Sequence, residues 1–119
     1  MSDIVSWVVD VTIKPGELAN FKALAGELVR ATQTNEPDTL AYEYLLSEDN
    51  SVCHIYERYA DSDAAKIHLT TFGERFAKRF MGMVNLNRLT VYGSPDEGLR
   101  KELDGLGATF MPQFNGFAR

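Results

Sequence analysis

Two side chains in this 119-residue chain are suited to moving a proton near neutral pH, and several aromatic neighbours could hold a ring beside them. His68 is the first, because an imidazole changes charge near neutrality. It stands between Ala65 and Phe72 at helical spacing, at the edge of an apolar stripe. That position suits a base or a substrate contact, and equally a histidine that packs at a helix–sheet boundary and bonds to backbone. Glu57 is the second. On a strand it shares a face with Cys53, Ile55 and Tyr59, which puts a carboxylate in mostly apolar company. A buried carboxylate demands a partner, and His68, an arginine or a substrate hydroxyl would each serve. A structural ion pair is the plainer of these readings. Trp7, Tyr42, Tyr44 and Tyr59 offer flat faces and phenol groups, able to line a pocket for a planar aromatic molecule and to hold developing negative charge, or simply to fill a core. His54 falls on the opposite strand face from Glu57, with Tyr56 and Arg58, and is given no catalytic role.

These residues must be placed by regular elements. Residues 4–13 alternate Val5, Trp7, Val9, Val11 and Ile13 against Ser6, Asp10 and Thr12, the period of a half-buried strand. Lys14-Pro15-Gly16-Glu17 reads as a helix opening, with proline at a first-turn position and an acid beside it. Phe21, Leu24, Ala25, Leu28 and Thr32 then form one stripe, and Pro37 ends the helix. Residues 40–47 and 52–60 read as an antiparallel hairpin around a turn at 48–51. Asp61-Ser62-Asp63 offers caps for a second helix whose stripe is Ala65, Leu69, Phe72, Phe76 and Phe80, with a break expected near Gly73. Residues 85–92 form a fourth strand. The order is β-α-β-β-α-β, the ferredoxin-like pattern of an α+β fold: an antiparallel four-stranded sheet with helices on one face. Residues 93–119 add a short helix carrying Leu99, Leu103 and Leu106, then a tail with Phe110, Phe114 and Phe117 that is too apolar to leave in water and is expected to dock.

Length and a hydrophobic fraction of 45% fit one domain spanning 1–119, with its core in 4–92. The uncovered sheet face, to which Trp7, Val9 and Val11 are assigned, is expected to be buried against a second copy in a homodimer. A net charge of −5 argues against a nucleic-acid partner. The basic cluster Arg75, Lys78 and Arg79 reads as a solvated helix face or as a guide for an anionic ligand. No apolar run approaches the roughly 20 residues of a membrane span, and residues 1–5 lack the pattern of a secretory leader, so a cytoplasmic location is expected. Cys53 stands alone, which excludes an internal disulfide and cysteine-based zinc.

Four pieces carry a family resemblance: Lys14-Pro15-Gly16, Tyr42-Glu43, Tyr56-Glu57-Arg58-Tyr59-Ala60-Asp61, and Ala65 with His68-Leu69. In this order and spacing the chain resembles the antibiotic biosynthesis monooxygenase family, which includes quinol monooxygenases, over residues 4–92. The resemblance implies a dimeric α+β barrel with a pocket between sheet and helices. It further implies no flavin, nicotinamide or metal cofactor and a quinol or polycyclic phenol as substrate, which would supply its own electrons to dioxygen once deprotonated. On that reading His68 is the base, Glu57 orients or balances it, and Trp7, Tyr42, Tyr59 and Phe72 shape the pocket. The haem-degrading branch fits less well, since residues 70–79 contain no histidine and the first strand lacks that branch's asparagine. A dimer that only binds a small ligand, or has a structural or stress-related role, is the reading outside enzymology.

Overall fold

The computed structural model describes residues 3–119; Met1 and Ser2, part of the stretch read for a leader, lie outside the described residues. The elements run β1 (Val5–Ile13), α1 (Leu18–Asn35), β2 (Thr39–Leu46), β3 (Val52–Tyr59), α2 (Ser62–Arg75), α3 (Ala77–Met83), β4 (Val84–Gly93), α4 (Glu97–Gly105) and β5 (Thr109–Met111). The sheet order is β2-β3-β1-β4-β5. β1 pairs antiparallel with both β3 and β4, and β2 antiparallel with β3. The expected α+β pattern is present, and the sheet is open. It has five strands rather than four, because Thr109–Met111 adds a short parallel strand beside β4.

Alternation along β1 decides which face is covered. Val5, Trp7, Val11 and Ile13 are buried beneath the helices, while Ser6, Val8, Asp10 and Thr12 face the other way. Trp7, Val9 and Val11 therefore belong to the helix-covered face, a correction to the expectation that they line a bare one. Period-2 alternation separates two faces without saying which one the helices take. The bare face instead presents Val8, Leu45, His54 and Tyr56. The core divides into two packed groups. One joins Val11, Phe21, Leu24, Leu28, Ile55 and Phe80; the other joins Val5, Trp7, Tyr59, Ala65, Leu99 and Leu103.

Three boundaries differ from the sequence reading, each for a local reason. Lys14-Pro15-Gly16-Glu17 is a turn, not the first turn of a helix: the Glu17 amide donates to the Lys14 carbonyl at 3.1 Å and Gly16 has φ of +81°. Proline followed by a left-handed glycine is the residue pair of a type II turn. The second helix breaks at Phe76, with φ of −127°, rather than near Gly73, and the Phe76 ring is driven into the core. In the C-terminal segment Leu99 and Leu103 are buried, but Leu106 is exposed. The tail docks only through β5. Phe114 and Phe117 stand 99% and 78% exposed, so of the two expected docking places, the chain's own subunit or a partner, they do not take the first.

Asp61 and Asp96 cap α2 and α4 by accepting from the amides of Ala64 and Leu99, each at 2.9 Å. Such a cap stabilises a helix by about 1 kcal/mol. Asp96 also binds Lys66 at 2.8 Å, tying α4 to α2. The basic cluster on α2 and α3 is exposed, and its Arg79 pairs with Glu27 of α1. Among the described residues, no helix is long and apolar enough to cross a membrane.

Candidate active site

The site is built around a histidine drawn into the core by two carboxylates. Asp61 starts α2 so that Ala64, Ala65 and His68 fall on its inner face, and His68 is 4% exposed. Its Nε2 lies 3.3 Å from Glu57 Oε1, and its Nδ1 lies 3.0 Å from Glu36 Oε1. Glu57 comes from β3, where register with Trp7 on β1 and Tyr42 on β2 sets it at the centre of the covered face. The Tyr59 hydroxyl donates to the same Glu57 oxygen that faces His68. Glu36 comes from the C-terminal end of α1. Pro37 disfavours helix at residue 36, and Glu36 leaves the helix at φ −129°, ψ 76° with its side chain buried. Thr39 Oγ1 donates to Glu36 Oε1 at 3.0 Å.

Burial is the largest influence on the Glu57 carboxyl and pushes its pKa up, against the opposing effects of His68, Tyr59 and the Trp7 side chain. Burial works to lower the His68 pKa, but the hydrogen bond to Glu36 and the charges of Glu57 and Glu36 outweigh it, and the net shift is upward. Both shifts mean that the cluster binds protons more tightly than its parts would in water.

Glu57 and His68 both open onto a cavity of about 540 Å³ between the sheet and the helices. Trp7, Tyr42, Tyr44 and Phe72 line it as well, so six of the seven candidates named from the sequence meet in one place. Tyr59 does not line it. Its ring is wholly buried behind Trp7, with centroids 4.8 Å apart, and it serves the site from below through its bond to Glu57. The Tyr42 and Tyr44 hydroxyls are 2.7 Å apart, and burial pushes both phenol pKa values well up, so both remain protonated. Tyr42 meets the His68 ring edge-on at 4.9 Å.

The remaining wall is mainly apolar, with Val9, Ile55, Leu69, Phe80, Leu89 and Leu103, and carries Glu102 of α4 as a further charged group. Half-exposed Met81, Leu86 and Leu106 stand at its mouth. Among the described residues, no group of three or more His, Cys, Asp or Glu side chains is arranged to hold a metal ion. His54 lies on the other face, 3.4 Å from Asp10. Glu36 is the member that sequence reasoning missed; its one signal is a carboxylate placed directly before Pro37.

Sequence and fold comparisons agree on the kind of protein this is. A family model described as antibiotic biosynthesis monooxygenase matches residues 4–79. Among solved structures, MupZ from Pseudomonas fluorescens is similar with a TM-score of 0.86 and 23% identity, covering 99% of this chain and 96% of that one. SnoaB from Streptomyces nogalater, described as a cofactor-independent oxygenase, is similar with a TM-score of 0.67 and 18% identity, covering 80% of this chain and 96% of that one. Identities this low speak for shared architecture alone. No match is found among curated proteins. With most of its length matched by the family model, the chain belongs to the antibiotic biosynthesis monooxygenase family.

Proposed function

We propose that the protein is a cofactor-independent monooxygenase for a quinol or polycyclic phenolic substrate, working through the Glu57–His68 pair. The observation that carries this reading is the placement of a buried carboxylate–imidazole pair, 3.3 Å apart, on the wall of a cavity whose lining is otherwise mostly apolar. Chemistry that begins by removing a proton from an electron-rich ring needs a base inside a space that excludes bulk water. The reaction balances without a redox cofactor. A ring CH₂ flanked by electron-rich aromatics loses one proton to the pair, and the carbanion supplies the electrons that form a C–O bond with dioxygen. The resulting hydroperoxide breaks its O–O bond as the remaining hydrogen on that carbon is lost. One oxygen stays as a carbonyl, and the other leaves as water after the pair returns its proton.

Trp7, Tyr42 and Phe72 supply flanking ring faces, and the Tyr42–Tyr44 hydroxyl pair supplies one donor for the oxygen on which charge develops. The biological unit in this reading is a homodimer formed on the helix-free face, where Val8, Leu45 and Tyr56 are grouped. Light scattering from the eluting protein gives its mass directly, and a monomer at micromolar concentration would remove the dimer.

The decisive assay is oxygen consumption by metal-free protein over a panel of quinols and anthrone-like phenols, with His68→Gln alongside. Uptake above the autoxidation rate, lost in the variant, is the expected outcome. Uptake equal to autoxidation across the panel would leave a ligand-binding cavity in place of an oxygenase.

A further inference from the structure

We infer that Glu36 is a positioning residue that holds His68 as an imidazolium with its Nε2–H turned to Glu57, leaving Glu57 as the group that accepts the substrate's proton. The inference rests on the proton-transfer reading of the cavity and assigns the roles within it. His68 was read from sequence as the base; its surroundings suit it better as the charged partner of the base.

The geometry leaves few ways to arrange the protons. Each ring nitrogen of His68 faces a carboxylate oxygen, at 3.0 Å on the Nδ1 side and 3.3 Å on the Nε2 side. A neutral imidazole has one N–H and one lone pair, so it would aim that lone pair at one of the carboxylates. The conflict is removed by one extra proton, placed either on the ring, which then donates in both directions, or on one of the two carboxyl groups, Glu57 or Glu36, which then donates to a neutral ring. The surroundings favour the ring. Glu57 Oε1 already receives a hydrogen bond from the Tyr59 hydroxyl, and a second donor from His68 suits an ionised oxygen. Glu36 Oε1 likewise receives Thr39 Oγ1 at 3.0 Å together with His68 Nδ1.

Of the titratable groups packed around His68, the two carboxylates Glu36 and Glu57 both favour the charged ring, and the tyrosines are neutral phenols. β3 presents Glu57 and Tyr59, β2 presents Tyr42 and Tyr44, the end of α1 presents Glu36, and Glu102 of α4 lies across the cavity. Among the described residues, no lysine or arginine lines the cavity to compete with the imidazolium. Glu36 itself does not line the cavity and is buried behind the ring, so it acts on a substrate only through His68.

The test is nitrogen NMR of the imidazole rings in the full-length protein, which has two histidines; His54→Asn assigns the signals. In the parent protein, both ring nitrogens of His68 should carry protons through neutral pH. In Glu36→Gln, the midpoint of His68 titration should fall by at least about one pH unit, a tenfold loss of proton affinity. A bare Nε2 in the parent at neutral pH overturns the proposal and needs no variant to fold. An unchanged midpoint in a folded Glu36→Gln protein overturns it as well. These readouts are independent of turnover. If the ring behaves as expected while oxygen uptake stays at the autoxidation rate, the positioning role stands and the oxygenase reading fails.

Discussion

The Tyr42 and Tyr44 hydroxyls, two residues apart on β2, meet at 2.7 Å on the cavity wall, and the Tyr42 ring stands edge-on to His68 at 4.9 Å. Two phenols in contact share one hydrogen bond and keep one proton to offer a ligand. Tyr42→Phe removes that arrangement while preserving the ring against His68. It should lower kcat for oxygen uptake about 100-fold, the usual cost of losing one donor to a developing oxyanion, with a smaller change in KM. An unchanged kcat in steady-state assays would remove Tyr42 from the chemistry.

Stability should fall as pH rises above neutral. The His68 pKa is raised in the folded protein, so its contribution is fully present below the unfolded value near 6.5 and is lost as pH climbs through the folded value. The Glu57 pKa is raised too, so from the unfolded value near 4.5 upward the native state again holds more proton than the unfolded chain. The sign is the same for both. Because the two groups are coupled, about one proton is at stake, worth up to about 1.4 kcal/mol per pH unit. Urea unfolding at a series of pH values should show this decline, and in His68→Gln what remains of it belongs to Glu57. A parent protein that grows more stable between neutral and mildly alkaline pH would contradict the assignment.

Leu103 of α4 is wholly buried and also forms part of the cavity wall. Leu103→Ala should cost about 2–5 kcal/mol of stability, as for other large-to-small changes in a core. It should also enlarge the cavity and admit bulkier substrates. Thermal unfolding and the size dependence of KM across the substrate panel measure the two effects separately.

Gly93 ends β4 at φ +99°, and a Cβ there would lie 2.8 Å from the Ile4 carbonyl oxygen. Gly93→Ala should therefore destabilise by about 1–3 kcal/mol, the usual range for a strained backbone position. Gly82 in α3 has open space around it, and Gly82→Ala should instead gain about 0.5–1 kcal/mol from helix propensity. Equal effects at the two positions would show that the close approach to Ile4 is not what fixes Gly93.

Much of the framework was legible because it rests on local periodicity. The alternation in β1, the stripe of α1 and the hairpin of β2 and β3 are patterns that a chain segment shows by itself. Glu57 was legible for the same reason, its burial following from Cys53, Ile55 and Tyr59 on the same face. Glu36 was not, because nothing within its own segment marks it as buried. Its side chain turns inward only because Pro37 interrupts the helix at the point where α2 presents His68 from 32 residues away. β5 was missed because three residues pair only where β4 already offers a free edge. The covered face of β1 was misassigned because it is settled by the helices' own stripes packing down, a tertiary choice that alternation does not encode.

The family model ends at residue 79, before α4 begins at Glu97. Glu36, Glu57 and His68 all precede that limit, whereas Leu86, Leu89, Glu102, Leu103 and Leu106 follow it and close the cavity from the other side. Most of the cavity lining, including Trp7, Tyr42, Tyr44 and Phe72, lies within the stretch that the family model matches, and one part of the wall lies beyond it. On the proposed reading, change in the later stretch reshapes the space around a substrate while Glu36, Glu57 and His68 stay as they are. Two chains alike over residues 4–79 would then still differ in what they admit.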